Sequence, residues 1–366
     1  MAPGEARRMV VLGVGTVGCR LAGRIRESEP EHRYLFIDTD RYPLSAYDPS
    51  DSLLIGAGET DGRGTGKQPS VGSRAAEESE VRIKEMIGEA EIVAVVASLG
   101  GGTGAGAGPA VARYARESGA TAVVIALDPF AFESSVKVQQ AYQALRRAED
   151  LAEAVVRIPC TLPPSAAAPD ATVKEVFLAC EEYAAGAAAS LIRMLANPGT
   201  MRLDFGDLRR VISEPGGAVI GIGRGDGDKR VEAAIRQACN SSFLDVYRLH
   251  SAANVLLHVA GGETLTLAEV EDGLRAISGI TSDGDYLLSV DIRPELMDEV
   301  VATVLLSGFS SEKGQPRQAA DVQHDIAPEG AFVYDGVNID VPTFLRRPRN
   351  SYSRAARFLP DLRFGR

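Results

Sequence analysis

The apolar positions in the first half of the chain fall into short unbroken runs separated by amphipathic stretches. Val10–Val14 is one such run, followed by a glycine turn and the helical stretch Arg20–Glu27. Tyr34–Asp38 reads as a second strand. Glu91–Ser98 and Thr121–Leu127 are apolar and β-branched without alternation, as expected of strands buried on both faces. Between them, Pro109–Ser118 is predicted as a helix with proline in its first turn. This alternation predicts an α/β fold with a doubly wound parallel sheet, whose ligands sit at the strand-to-helix turns.

A long alanine-rich helical pattern then runs from Val173 to Asn197 and stops at Asn197-Pro198-Gly199. It reads as a buried helix joining two parts of the molecule. Beyond it, Gly217–Gly223, Ala253–Ala260, Tyr286–Ile292 and Val300–Leu306 are predicted strands, and Lys229–Cys239 and Leu267–Ser278 predicted helices. They make up a second, smaller α/β (α+β) domain. From Ser310 to Gly336 the chain turns polar. The expected division is a first domain over 1–172, a connecting helix over 173–198, a second domain over 199–310, and a linker with tail over 311–366.

Composition removes several classes. With 45% hydrophobic and 24% charged residues the chain is not wholly disordered. No apolar run reaches the roughly 18 residues of a membrane-spanning helix. Met1–Met9 lacks the apolar core of a signal peptide, which predicts a cytoplasmic protein. Cys19, Cys160, Cys180 and Cys239 are scattered, and His32, His250, His258 and His324 share no ligand spacing, so neither a zinc site nor histidine catalysis is expected. Cys19, Cys180 and Cys239 read as buried packing residues, and His250 and His258 as structural. The net charge of −11 argues against a general nucleic-acid binder. Residues 346–366, however, carry seven arginines and one acid, a net of +6 that leaves −17 on the rest. A basic tail on an acidic body predicts a partner of its own.

Two glycine loops carry the candidate chemistry. Gly13-Val14-Gly15-Thr16-Val17-Gly18 fits G-x-G-x-x-G between strand and helix, and Asp38 lies 20 residues beyond Gly18. Alone, this is the dinucleotide fingerprint, with an acid placed for a ribose hydroxyl, and points to an NAD(P)-dependent oxidoreductase. The second loop, Gly100-Gly101-Gly102-Thr103-Gly104-Ala105-Gly106, lets backbone N–H groups converge on an anion beside a helix N-terminus, with Thr103 as a further donor. No lysine follows in Walker A position. Two such loops on one sheet suggest a di- or triphosphate held between them.

The second loop resembles G-G-G-T-G-[SAT]-G of the tubulin/FtsZ family, and the resemblance continues over roughly residues 9–310. Asp38-Thr39-Asp40 is similar to the family's N-T-D, and Gly64-Thr65-Gly66-Lys67-Gln68-Pro69 with Gly72 to the loop covering the γ-phosphate. Pro129-Phe130-Ala131-Phe132-Glu133 resembles P-F-x-F-E, Phe177 falls where the family stacks a ring on the base, and Leu203-Asp204-Phe205-Gly206-Asp207 resembles the loop after the central helix. Ile339–Arg346 resembles the terminal peptide of FtsZ.

The resemblance implies a divergent FtsZ-like protein that binds GTP and GDP, self-assembles head to tail and hydrolyses GTP at the subunit interface, in division or membrane remodelling. The alternative is a nucleotide-holding partner with little hydrolysis. Implied catalytic residues are Asp204 and Asp207. Implied nucleotide contacts are Gly13, Gly15, Thr16, Gly18, Cys19, Arg20, Asp38, Asp40, Gly64, Gly66, Lys67, Gly100, Gly101, Gly102, Thr103, Gly104, Pro129, Glu133, Lys137, Cys160, Phe177, Glu181 and Glu182. Mg²⁺ would sit on phosphate oxygens and water, without protein ligands. The tail over 338–366 would meet an adaptor protein or an anionic membrane. Arg20, Cys160 and Glu182 replace base-contacting residues of the family, Lys137 a ribose-side arginine, and Arg202 an asparagine of the catalytic loop. The phosphate machinery is retained while base recognition is rewritten.

Overall fold

A computed structural model of the chain describes residues 8–130, 133–160, 171–196, 205–239, 252–278, 285–309, 333–334 and 337–338. In chain order the elements are β1 Met9–Val14, α1 Gly15–Ser28, β2 Arg33–Asp38, α2 Arg41–Leu44, β3 Ser52–Leu54, α3 Ala57–Thr60, α4 Pro69–Glu78 and α5 Glu80–Ile87. Next come β4 Ile92–Ser98, α6 Gly102–Glu117, β5 Thr121–Leu127, α7 Ser135–Leu151, β6 Ala154–Ile158 and α8 Val173–Ala196. Then follow α9 Phe205–Ile212, β7 Ala218–Gly225, α10 Arg230–Cys239, β8 Asn254–Gly261, α11 Leu267–Ser278, β9 Asp285–Ile292 and β10 Val300–Ser307. These lie in one compact unit, Met1–Gly314. In the second unit, Gln315–Arg366, β11 Val333–Tyr334 pairs antiparallel with β12 Val337–Asn338.

The unit is built on one sheet, in the order β3-β2-β1-β4-β5-β6-β7-β10-β8-β9. From β3 to β6 every pairing is parallel, with Val10 opposite Val93 and Leu12 opposite Val95. β7 joins β6 in parallel through only two residue pairs, then β10 runs antiparallel to both β7 and β8. Because strand side chains alternate, Met9 and Val11 enter one core while Val10 and Leu12 enter another on the opposite face. Helices cover both faces, which explains the unbroken apolar strands.

α8 is what both halves share. Its start is a capping box: Thr172 Oγ1 accepts from the Glu175 N–H, and Glu175 accepts from Thr172 N–H and Oγ1. Alanines 184, 185 and 187–189 favour the helix and keep it thin. Leu191, Ile192 and Leu195 are fully buried, in a core containing Ile125 of β5 and Leu305 of β10. Each such side chain contributes about 1.5–3 kcal/mol. Ser190 and Thr303 hydroxyls bond at 2.7 Å, Tyr183 Oη accepts from the Ile222 N–H, and Arg193 pairs with Glu29 at the end of α1.

Two expectations need correction. Gly102–Gly106 is not a loop; it is the start of α6, and Pro109 lies at the eighth helical position rather than in the first turn. The glycines let two backbones touch. A Cβ on Gly106 would lie 2.1 Å from the Pro69 carbonyl oxygen of α4, and one on Gly104 would lie 2.3 Å from Ser98 O. Likewise α1 begins at Gly15, inside the first glycine motif. Six helices (α2, α3, α4, α5, α7, α9) and strands β3 and β6 are not among the elements predicted from the sequence. Asn197-Pro198-Gly199, His250 and most of Ser310–Gly336 lie outside the described residues.

These contacts reverse the usual effect of a helical Gly→Ala change. Gly106→Ala is expected to lower stability by about 1–3 kcal/mol through overpacking. Gly186→Ala, whose Cβ would meet only Ile222 Cδ1 at 3.5 Å, is expected to raise it by about 0.5–1 kcal/mol. Calorimetric melting of the two variants decides the matter; stabilisation by both would contradict the α4–α6 contact.

Candidate functional site

Three strand ends and two helix starts converge at one edge of the parallel sheet. Gly15, at φ +75°, opens α1 directly after β1, and a Cβ there would lie 3.1 Å from Gly104 N and 3.3 Å from Thr103 Cβ. A Cβ on Gly18 would lie 2.3 Å from Val96 O in β4. The first turns of α1 and α6 are therefore held side by side. Thr39, just past β2, bonds Thr103 hydroxyl to hydroxyl at 2.7 Å. Neither helix has an acid in its first turn. Two helix N-termini whose own first turns carry no acid form a surface suited to an anion.

Asp38 holds these pieces together. It is 1% exposed, its Oδ2 accepts from Thr16 Oγ1 at 2.9 Å, and its Oδ1 accepts from the Thr39 N–H at 2.7 Å. Burial raises its pKa, opposed by those hydrogen bonds. A carboxylate so enclosed does not present itself to a ribose hydroxyl, which removes the main support for the dinucleotide reading. Cys19 beside it is buried, donates to Gly13 O and Ile37 O, and is pushed up by burial.

The segment 64–68 closes one side. Gly64 N–H donates to Thr39 O at 3.1 Å, and Gly64, Gly66 and Lys67 take positive φ of 81°, 59° and 64°. A Cβ on Gly102 would fall 2.0 Å from Thr65 Oγ1 and 2.8 Å from Gln68 N. Asp40 caps α2 by accepting from the Tyr42 N–H at 2.9 Å.

On the other side, a Cβ on Gly100 would meet Lys137 Cε at 2.8 Å and Pro129 Cβ at 3.3 Å. Lys137 pairs with Glu133, whose Oε2 accepts from the Phe130 N–H. The Phe130 ring lies 5.0 Å from that of Phe177, in the first turns of α8. Glu181, one turn further, binds both Arg20 and Arg24 of α1. Cys160 is half-buried and pushed up to about 12, chiefly by desolvation, with Asp128 nearby. Glu182 is exposed.

The structure thus brings together the expected residues from Gly13 to Glu181. Thr39, Thr65 and Arg24 join the expected site residues; Thr39 carries a signal inside Asp38-Thr39-Asp40 and Thr65 inside Gly64-Thr65-Gly66, whereas Arg24 carries none. Asp207 is not brought there. It sits in the first turn of α9, beyond the end of α8, and 24 helical residues span about 36 Å. Asp204 lies outside the described residues. Of the carboxylates near the glycine turns, Asp38 is buried and Glu133 and Glu181 are ion-paired, while Glu182 is exposed. Among the described residues, the grouping with three metal-capable side chains is Glu29, Glu31 and His32, at the α1–β2 turn. A cavity of about 300 Å³ lies elsewhere, between Arg193 of α8 and the β8–β9 residues His258, Asp291 and Arg293. His258 is buried, bonded to Ser289 Oγ and pushed down to about 4, in keeping with a structural role.

The family model "Tubulin/FtsZ family, GTPase domain" matches residues 8–160, and "FtsZ family, C-terminal domain" matches residues 216–310. Cell division protein FtsZ 1 of Pyrococcus furiosus is 30% identical over 321 residues, covering 86% of this chain and 85% of that protein. Its Archaeoglobus fulgidus counterpart is 32% identical over 313 residues, covering 84% of each. The M. jannaschii FtsZ dimer structure superposes with a TM-score of 0.75 at 30% identity, covering 84% of this chain and 89% of that one. CetZ2 of Haloferax volcanii superposes at 0.66 and 20% identity, covering 83% and 94%, which shows the shared fold.

Proposed function

The chain belongs to the tubulin/FtsZ family, and from that premise we propose that it is a GTP-binding subunit that assembles head to tail and hydrolyses GTP where two subunits meet. One observation carries the reading. Phe177 and Glu181 in the first turns of α8 lie beside the glycine turns, which follow the ends of β1 and β4, whereas Asp207 lies in the first turn of α9, whose Arg209 pairs with Glu153 at the start of β6, the opposite end of the parallel strands. One subunit cannot bring its own Asp207 to its own phosphate loops. Two subunits stacked end to end can. The M. jannaschii relative, described as a dimer, supports self-association.

In this reading the backbone N–H groups of Gly15, Gly18 and Gly101–Gly104 bind the phosphates, aided by the N-terminal dipoles of α1 and α6. Thr103 and Thr39 fix the spacing of the two turns. Glu133 and Lys137 take the sugar side, and Phe130 with Phe177 the base. Mg²⁺, when bound, would neutralise phosphate charge from phosphate oxygens and water. Asp207, with Asp204, polarises water at a neighbour's terminal phosphate. Their i,i+3 spacing suits two acids acting on one water. Arg20 and Arg24 are committed to Glu181, so the base edge is read by the remaining carboxylate, Glu182, which accepts from the N1–H and N2–H₂ of guanine.

That pattern predicts tighter binding of GTP than of ATP, by a smaller margin than a site with full base complementarity achieves. Competition of both nucleotides against a fluorescent analogue tests it, and an ATP preference would contradict the assignment of the base pocket.

The shared site predicts that turnover rises more than linearly with protein concentration, with a threshold. Asp207→Ala should bind GTP normally and hydrolyse it about 100-fold more slowly. Mixing it with Thr103→Arg, which blocks the phosphate site, should restore part of the activity. Turnover proportional to protein at every concentration, with Asp207→Ala unimpaired, would show that no site is shared.

The tail, outside the described residues, interleaves its net +6 with Tyr352, Phe358, Leu359, Leu362 and Phe364. Attraction of about 1 kcal/mol per basic residue near an acidic lipid surface predicts that the full chain cosediments with such vesicles. A chain ending at Leu345 should not; equal cosedimentation of both would remove the membrane role of the tail.

A further inference from the structure

The turn from α1 into β2 reads Glu29-Pro30-Glu31-His32. It lies at the far end of α1 from the glycine turns, 14 helical residues or about 21 Å away. Glu29, Glu31 and His32 bring three metal-capable atoms within 4.8 Å of one another. The backbone holds them there. Glu29 N–H donates to Ile25 O at 2.9 Å as the cap of α1, and Glu29 O accepts from Tyr34 Oη at 2.7 Å. Pro30 fixes its own φ and keeps Glu29 out of the helical region.

Acidic turns are common; the histidine sets this one apart. The His32 side chain is 4% exposed, and its Nε2 is buried without a hydrogen-bond partner. Glu31 Oε1 stands 3.8 Å from that nitrogen, too far for a hydrogen bond. Buried polar atoms are seldom left unmatched, and this one faces carboxylates. Burial lowers the His32 pKa against the opposing pull of Glu31, so the ring is neutral near pH 7 and has a nitrogen lone pair to give. Glu29 is 2% exposed, and its Oε1 pairs with Arg193 of α8. Glu31 and Arg193 line the 300 Å³ cavity together with Asp291, Arg293 and Glu295. With Glu29, these groups set four carboxylates against two guanidiniums. A divalent cation offsets that excess.

We propose that the α1–β2 turn binds a divalent transition-metal ion of the zinc type, held by His32 Nε2 and one oxygen each of Glu29 and Glu31, with water completing the shell. Imidazole favours such an ion over magnesium or calcium, which take oxygen ligands. Zinc holds its ligands at about 2.0–2.2 Å, so the three atoms must draw together by about 1 Å. Rotation of the exposed Glu31 side chain supplies much of that movement. Arg193 then acts as the outer partner that orients a ligating carboxylate. The ion ties the end of α1 to α8, and the site does not depend on the nucleotide reading above.

The test titrates ZnCl2 into the chelator-stripped full chain, without added nucleotide, for wild type, Glu31→Gln and His32→Ala. Calorimetry reads the binding, and thermal melting is followed at each zinc concentration. The wild type should take one zinc per chain at this site and melt at a higher temperature as zinc rises, because the ion binds the folded state. Each variant should bind at least about tenfold more weakly and lose most of that rise. Magnesium in about a hundredfold excess should not displace the zinc. Glu31→Gln changes an exposed side chain, so it decides the matter if His32→Ala does not fold. Wild-type zinc affinity in either folded variant, displacement by magnesium, or a wild-type chain that binds no zinc would overturn the proposal.

Discussion

The first two turns of α6 must lie backbone to backbone against three neighbours at once. Gly102 meets the 65–68 segment, Gly104 meets Ser98 at the end of β4, and Gly106 meets Pro69 at the start of α4. No side chain larger than hydrogen fits at any of these contacts. Helical glycine costs about 1 kcal/mol relative to alanine, and here that cost is offset by close packing. With α6 placed in this way its unpaired N–H groups face the same opening as those of α1, which Gly15 and Gly18 bring against Gly104 and Val96 by the same device. The anion-binding geometry follows from a packing constraint rather than from any charged side chain.

The second organising element is α8. Its upper turns carry Phe177 and Glu181 beside the glycine turns, and its lower turns carry Ser190 and Arg193, bonded to Thr303 and Glu29. A single helix anchored at both ends fixes the distance between the glycine turns and the lower turns that carry Ser190 and Arg193. It also ties the parallel half of the sheet to β7, which meets β6 at only two residue pairs.

Much of this is legible in the sequence. The unbroken runs Glu91–Ser98 and Thr121–Leu127 become central parallel strands, and the alanine run becomes α8. What periodicity could not show is where a glycine-rich stretch turns helical. Gly102–Gly106 carries every local signal of a loop, and Pro109 every signal of a first turn, yet tertiary contact places both inside α6. The role of Asp38 was misjudged for a related reason. A motif gives the spacing from Gly18 but not that Thr16 and the Thr39 N–H enclose the carboxylate. Arg24 carries no sequence signal, because it acts through a contact with Glu181 that exists only once the chain is folded. Asp207 was found only through the resemblance, since an acid in a first helical turn is otherwise ordinary.

The central claim is that the paired glycine turns hold a guanine nucleotide. It is tested most directly by identifying what copurifies with the chain, through acid extraction and ion-pair chromatography against standards. The account predicts GDP or GTP at close to one per chain, lost when Thr103→Arg fills the cradle. A nicotinamide dinucleotide in the extract, or adenine nucleotide in place of guanine, would contradict it.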